Sequence, residues 1–151
     1  MEQAVAYIFG AGIAPHVTGV VRFSDGSDGF TRVDVDIKRL SDRFHGFHIH
    51  EKGICRDETP EPFASAGPHY NPEHEKHGFH AGDLPALMPS DGRARMTFYT
   101  KKFRVSDVIG RSVVVHEYPD DFKTDPGGNS GRRIACGVIR RVVEGKHSYS
   151  G

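Results

Sequence analysis

The sequence has no net charge, no long hydrophobic run and no extended helical repeat. Its 151 residues include 20 Lys+Arg and 20 Asp+Glu, so the formal net charge at pH 7 is zero and the pI is about 7.2. A neutral chain with scattered basic residues argues against a general nucleic-acid or membrane partner. No apolar run approaches the roughly 20 residues of a membrane-spanning helix. We therefore expect no nucleic-acid binding and no membrane span.

A secretory signal is not visible either, and cysteine is scarce. Met1 leads almost directly into the apolar segment Ala4–Phe9, which is too short for a signal and follows no basic region. We expect a cytoplasmic protein; the alternative is a periplasmic or secreted protein whose signal has been removed. Two cysteines, Cys55 and Cys136, are far apart in the chain. Two reduced thiols are usual in a cytosol, and spacing alone does not decide whether these two pair.

Short alternating segments dominate the chain and predict an all-β fold, a sandwich or barrel in one domain spanning residues 1–151. Thr31–Ile37 alternates most clearly, with three apolar side chains facing inward and two aspartates facing water. Two long segments without regular pattern, Lys52–Gly82 and Pro119–Arg132, are expected to be functional loops. The eight predicted strands are Ala4–Phe9, Val17–Phe23, Thr31–Ile37, Phe44–Glu51, Leu84–Met88, Ala94–Tyr99, Arg111–Glu117 and Arg133–Ile139.

Two histidines, His48 and His50, stand two residues apart in the fourth predicted strand. Alternate residues of a strand share a face, so both imidazoles point to one side while Phe47 and Ile49 point into the core. Two imidazoles on one rigid face make half of a copper or zinc site. Two exposed surface histidines would give the same pattern, so the interpretation needs support from elsewhere in the chain.

A second group of side chains supplies that support. His77, His80 and Asp83 are each three residues apart, but the glycines and the proline around them argue against a helix. We expect instead a loop folded round an ion. Two histidines and one aspartate need one more ligand to complete a tetrahedral zinc site, and His69 is the obvious fourth. Because both groups lie within the span 46–83, metal binding is favoured over unrelated surface histidines.

Several motifs together resemble one known family, the copper/zinc superoxide dismutases. They follow the order of the family and cover most of the chain, and their combination is very specific. The matching segments are GFHIHE at 46–51, SAGPHYNP at 65–72, HGFHAGD at 77–83, GRSVVVHE at 110–117 and GRRIACGVI at 131–139. The resemblance implies an eight-stranded Greek-key barrel or sandwich of immunoglobulin-like type, with two long functional loops.

The resemblance also implies a set of site residues. His69 would bridge the two metals, and Asp120 would link a copper histidine to a zinc histidine. Arg133 would lie beside the copper, and Cys55 and Cys136 would form the family disulfide. The implied copper ligands are His48, His50, His69 and His116, and the implied zinc ligands are His69, His77, His80 and Asp83.

The implied activity is the disproportionation of superoxide anion to oxygen and hydrogen peroxide by a copper ion that cycles between two oxidation states. Zinc would be structural, Arg133 would guide the anion, and His69 would carry a proton. Lys52 and Lys123 are weaker candidates for guiding the anion. The alternatives are a non-catalytic copper/zinc-binding protein on the same fold, used for buffering or metal transfer, and a domain that uses zinc alone.

The chain departs from eukaryotic members of the family. The loop from His116 to Arg133 is shorter and lacks their longer charged segment. The segment from Cys55 to His69 is longer and resembles that of bacterial members, as does the sequence HEKG at 50–53. Charged residues stand where the eukaryotic dimer interface is apolar, at Lys52, Arg140 and Arg141. Unpaired buried charges are costly. We therefore expect a monomer, or a dimer unlike the eukaryotic one.

Overall fold

The computed structural model describes residues 2–143; the ends of the predicted domain, Met1 and residues 144–151, lie outside the described residues. None of the helices in the described part is long and apolar enough to cross a membrane. The strands are β1 (Gln3–Gly10), β2 (Thr18–Asp25), β3 (Thr31–Lys38), β4 (Phe47–His50), β5 (Arg93–Thr100), β6 (Ser112–His116), β7 (Arg133–Val138) and β8 (Arg140–Arg141). A 3-10 helix, Ala64–Ala66, and a one-turn helix α1, Val105–Val108, lie between strands.

All eight strands belong to one curled antiparallel sheet with the order β4-β6-β7-β1-β2-β3-β5, and β8 pairs with β1. The first three strands are consecutive neighbours. The chain then crosses from β3 to β4 at the far end of the sheet and returns to β5 beside β3, which is a Greek-key connection. The predicted all-β, Greek-key fold class is confirmed.

The core lies inside this curled sheet and follows the alternation of the strands. Val33, Val35 and Ile37 of β3 are at most 4% exposed, as their spacing predicts. Phe47 and Ile49 of β4 are fully buried in the same core. The opposite faces of these strands are therefore left for polar side chains, including the histidines of β4.

The predicted strand Leu84–Met88 is wrong. Leu84 and Leu87 are buried in the core, but Leu87 makes only an isolated bridge with His45. Pro85 lacks a backbone N–H and interrupts the ladder of backbone hydrogen bonds. Leu84 and Leu87 therefore belong to a loop, and their side chains extend from it into the core. The eighth strand is instead β8, which follows β7 directly and was not predicted. The fourth strand is also shorter than predicted and begins only at Phe47.

The disulfide Cys55–Cys136 implied by the family resemblance is present. It ties the long loop after β4 to β7. Phe63 belongs to this loop and packs on the outer face of the sheet. There it is fully buried in a small apolar cluster with Val114 and Cys136. The loop is thereby fixed against the same face that carries the histidines.

Candidate metal centre

The outer faces of β4 and β6 carry three buried histidines, His48, His50 and His116. His48 and His50 point away from the core because Phe47 and Ile49 occupy the inward positions of β4. His116 is the last residue of β6, where the register with β7 shifts. Such an irregularity changes the direction of a side chain at the end of a strand.

Strand β4 is an edge of the sheet, and the backbone of the long loop pairs with that edge. The N–H of Ile49 donates to the carbonyl of Gly82, and the carbonyl of Ile49 accepts from the N–H of Tyr70. Isolated bridges pair His50 with His69 and His48 with Asp83. Two loop residues predicted as ligands are therefore held directly beside the two histidines of β4.

The predicted ligands form two buried donor groups that share one residue, His69. Within each group the ligand atoms all lie within 4.8 Å of one another. The first donor group consists of His48, His50, His69 and His116, and the second donor group consists of His69, His77, His80 and Asp83. Asp120 forms a third set with His48 and His77 and so joins the two groups.

Hydrogen bonds in the first donor group leave lone pairs that point at each other. His50 donates from Nδ1 to the carbonyl of Gly67 at 2.8 Å, and His116 donates from Nδ1 to the carbonyl of Gly131 at 3.4 Å. The two remaining Nε2 atoms therefore both carry lone pairs, and they lie 3.3 Å apart. His48 donates from Nε2 to Asp120, while its buried Nδ1 has no hydrogen-bond partner. A cation among these nitrogens would satisfy all of them.

The second donor group shows the same pattern. His77 donates from Nε2 to Asp120 at 2.7 Å, and its buried Nδ1 makes no hydrogen bond. His69 Nδ1 lies 3.0 Å from Asp83 Oδ1 and 3.1 Å from His80 Nδ1. The other oxygen of Asp83 accepts two backbone N–H groups, which fixes the carboxylate. Three imidazoles and one carboxylate suit tetrahedral zinc, whereas four imidazoles suit copper.

An open cleft of about 1020 Å³ leads from the surface to His50, His69 and His116. Arg133 lines this cleft and donates from its guanidinium to the carbonyls of Phe63, at 2.9 Å, and Ala64, at 3.3 Å. These contacts hold the guanidinium of Arg133 against the loop that the disulfide closes.

Of the other basic residues, Arg111 also lines the cleft, where it pairs with Glu51 at 2.9 Å. Arg132 is exposed and pairs with Glu117 at 2.8 Å. Lys52 and Lys123, the weaker candidates for guiding an anion, are not among the cleft-lining residues of the described chain.

Residues 17–139 match the protein-family model described as copper/zinc superoxide dismutase (SODC). The chain belongs to the copper/zinc superoxide dismutase family. It is 38% identical to a copper-zinc superoxide dismutase of Deinococcus radiodurans, over 83% of this chain and 79% of that protein. It is also 38% identical to copper-zinc superoxide dismutase A of Xenopus laevis, over 92% of this chain and 97% of that protein.

A solved structure agrees with these sequence relatives. The copper/zinc superoxide dismutase of Brucella abortus superposes with a TM-score of 0.78 at 30% identity, covering 90% of this chain and 98% of that one. The family fold and the order of the motifs therefore extend through most of the described residues.

Burial favours the neutral form of four imidazoles of this family centre. It lowers the pKa values of His48, His50 and His116, and it lowers the pKa of His69 to about 4. Burial alone would raise the pKa of Asp120, but hydrogen bonds from His48 and His77 outweigh it and bring that pKa to about 2. Neutral imidazoles and an ionised carboxylate are the forms that bind metal ions.

The metal-free protein is expected to lose stability as the pH falls from 6.5 towards about 4. In this window the unfolded chain protonates its histidines, whereas folded His69, with its pKa near 4, stays neutral. For every histidine that behaves in this way, the free energy of unfolding falls by about 1.4 kcal/mol with each pH unit. Urea unfolding of the metal-free protein at several pH values measures the slope. An unfolding free energy that is constant between pH 6.5 and 5 would contradict the expectation.

Several backbone groups of the site were not predicted from the sequence. The carbonyls of Gly67 and Gly131 orient His50 and His116, and both glycines have positive φ values, 76° and 75°. Only glycine adopts this conformation without strain, so glycine at these positions was the available signal. His45 is also buried, and its Nδ1 donates to the carbonyl of His116 at 2.7 Å.

Proposed function

We propose that the chain is a superoxide dismutase that holds copper in the first donor group and zinc in the second. The reaction converts superoxide to oxygen and hydrogen peroxide. Membership of the family supports the reaction, and the single observation that carries the site assignment is the pair of buried donor groups sharing His69. When bound, copper supplies reversible one-electron chemistry and zinc supplies a fixed positive charge.

The side chains around the donor groups have separable roles in this proposal. His69 has its Nδ1 atom in the second group, so Nε2 is the atom that would hold a proton for the product. Asp120 accepts from His48 and His77 at once and fixes which nitrogen each ring presents. Arg133 provides the positive charge in the cleft that would hold the superoxide anion.

The test is the decay of superoxide in the presence of the protein loaded with copper and zinc. We expect acceleration with both metals, and none with zinc alone or after chelation. Binding of both metals without acceleration would instead indicate a buffering or metal-transfer protein. Binding of zinc alone would indicate a structural zinc domain.

Arg133→Ala is expected to lower the rate about tenfold, the lower end of the range for electrostatic steering, while copper and zinc contents stay unchanged. The guanidinium is lost from the cleft, but no ligand is touched. Arg132→Ala is the matched control, because it removes the same charge from the adjacent position outside the cleft. Superoxide decay and metal analysis of both variants measure the effect. Equal rates for the two variants would show that Arg133 does not act on the anion.

We propose that the protein is a monomer, or a dimer unlike the eukaryotic one. Lys52, Arg140 and Arg141 are exposed, which supports this proposal because an apolar interface would have to bury their charges. Light scattering distinguishes monomer from dimer. A dimer whose interface includes these three side chains would contradict it.

We also propose that residues 1–151 form one domain, since every described strand belongs to one sheet. The disulfide favours an oxidising compartment, such as the periplasm or the cell exterior, over the expected cytoplasm. Fractionation of the host cell tests the compartment.

A further inference from the structure

The cleft is large and open to solvent, so anions of very different sizes can enter it. It measures about 1020 Å³, whereas a diatomic anion needs little more space than a water molecule, about 30 Å³. Arginine also binds oxyanions of any charge, since its fork of N–H donors matches carboxylate, phosphate and sulfate groups. The charges around Arg133 can therefore contribute to discrimination between superoxide and other anions.

Three carboxylates outside the donor groups line the cleft, and two of them are engaged. Glu51 pairs with Arg111 at 2.9 Å, and Asp125 accepts the backbone N–H of His77 at 2.7 Å. Glu61 has only a long contact, 3.4 Å, from the backbone N–H of Arg133. Its carboxylate forms no ion pair within the part of the chain that the structure describes. Glu61 is thus a negative charge that lies beside the backbone of Arg133.

The charge of Glu61 acts on the guanidinium of Arg133. Burial lowers the pKa of Arg133, and the nearby carboxylates of Glu61 and Glu58 act in the opposite direction. Glu58 is committed to another task, since it accepts from the backbone N–H and the hydroxyl of Ser65. Glu61, by contrast, lines the cleft, and its carboxylate contacts the backbone N–H of Arg133.

We propose that Glu61 is a specificity-determining residue that shifts the anion preference of the cleft towards singly charged anions. The proposal rests on the proposed function of Arg133 as the residue that receives the substrate. Repulsion from one carboxylate is twice as large for a dianion as for a monoanion at the same position. The attraction of Arg133 also doubles for a dianion, so Glu61 offsets a larger energy for sulfate than for superoxide.

The test uses Glu61→Gln, which keeps the shape and the oxygen that accepts the N–H of Arg133 but removes the charge. Nitrate and sulfate are titrated at fixed ionic strength into the full-length protein loaded with zinc and cuprous copper. Binding is followed by the NMR shift of the Arg133 Nε–H group, assigned with Arg133→Lys. We expect nitrate to bind about twofold tighter in the variant and sulfate about fourfold tighter, because the free-energy change doubles with the charge.

Asp57→Asn is the matched control, since Asp57 is exposed on the same loop and is not among the cleft-lining residues. We expect it to change neither affinity. If Glu61→Gln changed the affinities for nitrate and sulfate by the same factor, the proposal would be overturned. The same holds if Asp57→Asn changed the two affinities as Glu61→Gln does. Superoxide decay is measured in parallel. A wild-type protein that fails to accelerate decay would refute the proposed function, while the two anion titrations would still decide the role of Glu61.

Discussion

Replacing His116 with alanine is expected to remove copper and leave zinc in place. His116 belongs only to the first donor group, and its Nε2 lies 3.3 Å from that of His50. Copper affinity should fall by more than about 100-fold, since the loss of even an outer partner of a metal ligand costs 10- to 100-fold. Superoxide dismutation should fall with the copper content. Metal analysis after dialysis, together with the decay assay, measures both effects.

Asp83→Ala is the reciprocal variant. Asp83 belongs only to the second donor group, so we expect zinc to be lost and copper to be retained. Its carboxylate also accepts the backbone N–H groups of Gly78 and His80, so the loop should become less ordered as well. If both variants lost the two metals in equal proportion, the assignment of separate sites would be wrong.

Removing the disulfide is expected to destabilise the folded protein by about 4.5 kcal/mol, the chain-entropy value for closing a loop of this length. Cys55 and Cys136 are 81 positions apart, and the loop between them carries most of the donor residues. Cys55→Ser is the better variant, since Cys136 is fully buried and a hydroxyl there would add its own cost. Urea unfolding of the variant and the parent, with equal metal content, measures the difference.

Alkylation of the native protein followed by mass spectrometry provides the control for this prediction. No thiol should be modified before reduction, and two should be modified after it. Two free thiols in the native protein would contradict the disulfide. A loss of less than about 1 kcal/mol in Cys55→Ser would show that the cross-link does not restrict the unfolded chain as the loop-entropy model requires.

The faces of the strands and most of the donor residues could be predicted from local sequence patterns, whereas His116 was implied only by the family resemblance. Alternation is a local property of an extended chain, so Phe47 and Ile49 had to face the core and His48 and His50 had to face away from it. Glycines around His77 and His80 excluded a helix for the same local reason. The remaining roles, such as those of Asp120 and Arg133, came from the family resemblance.

Only the tertiary structure decided how the donor atoms meet. Which nitrogen each ring presents depends on distant partners, such as Gly131 for His116 and Asp120 for His48. The sequence pattern predicts a strand at Leu84 and Leu87, but these buried residues lie in a loop, because Pro85 cannot complete a ladder of backbone hydrogen bonds.

Glu61 shows the same limit at the mouth of the cleft. It lies far from Arg133 in the sequence, and the two meet through the folding of the loop that the disulfide closes. Local periodicity carries no information about such contacts, since they are set by backbone hydrogen bonds and packing between segments far apart in the chain.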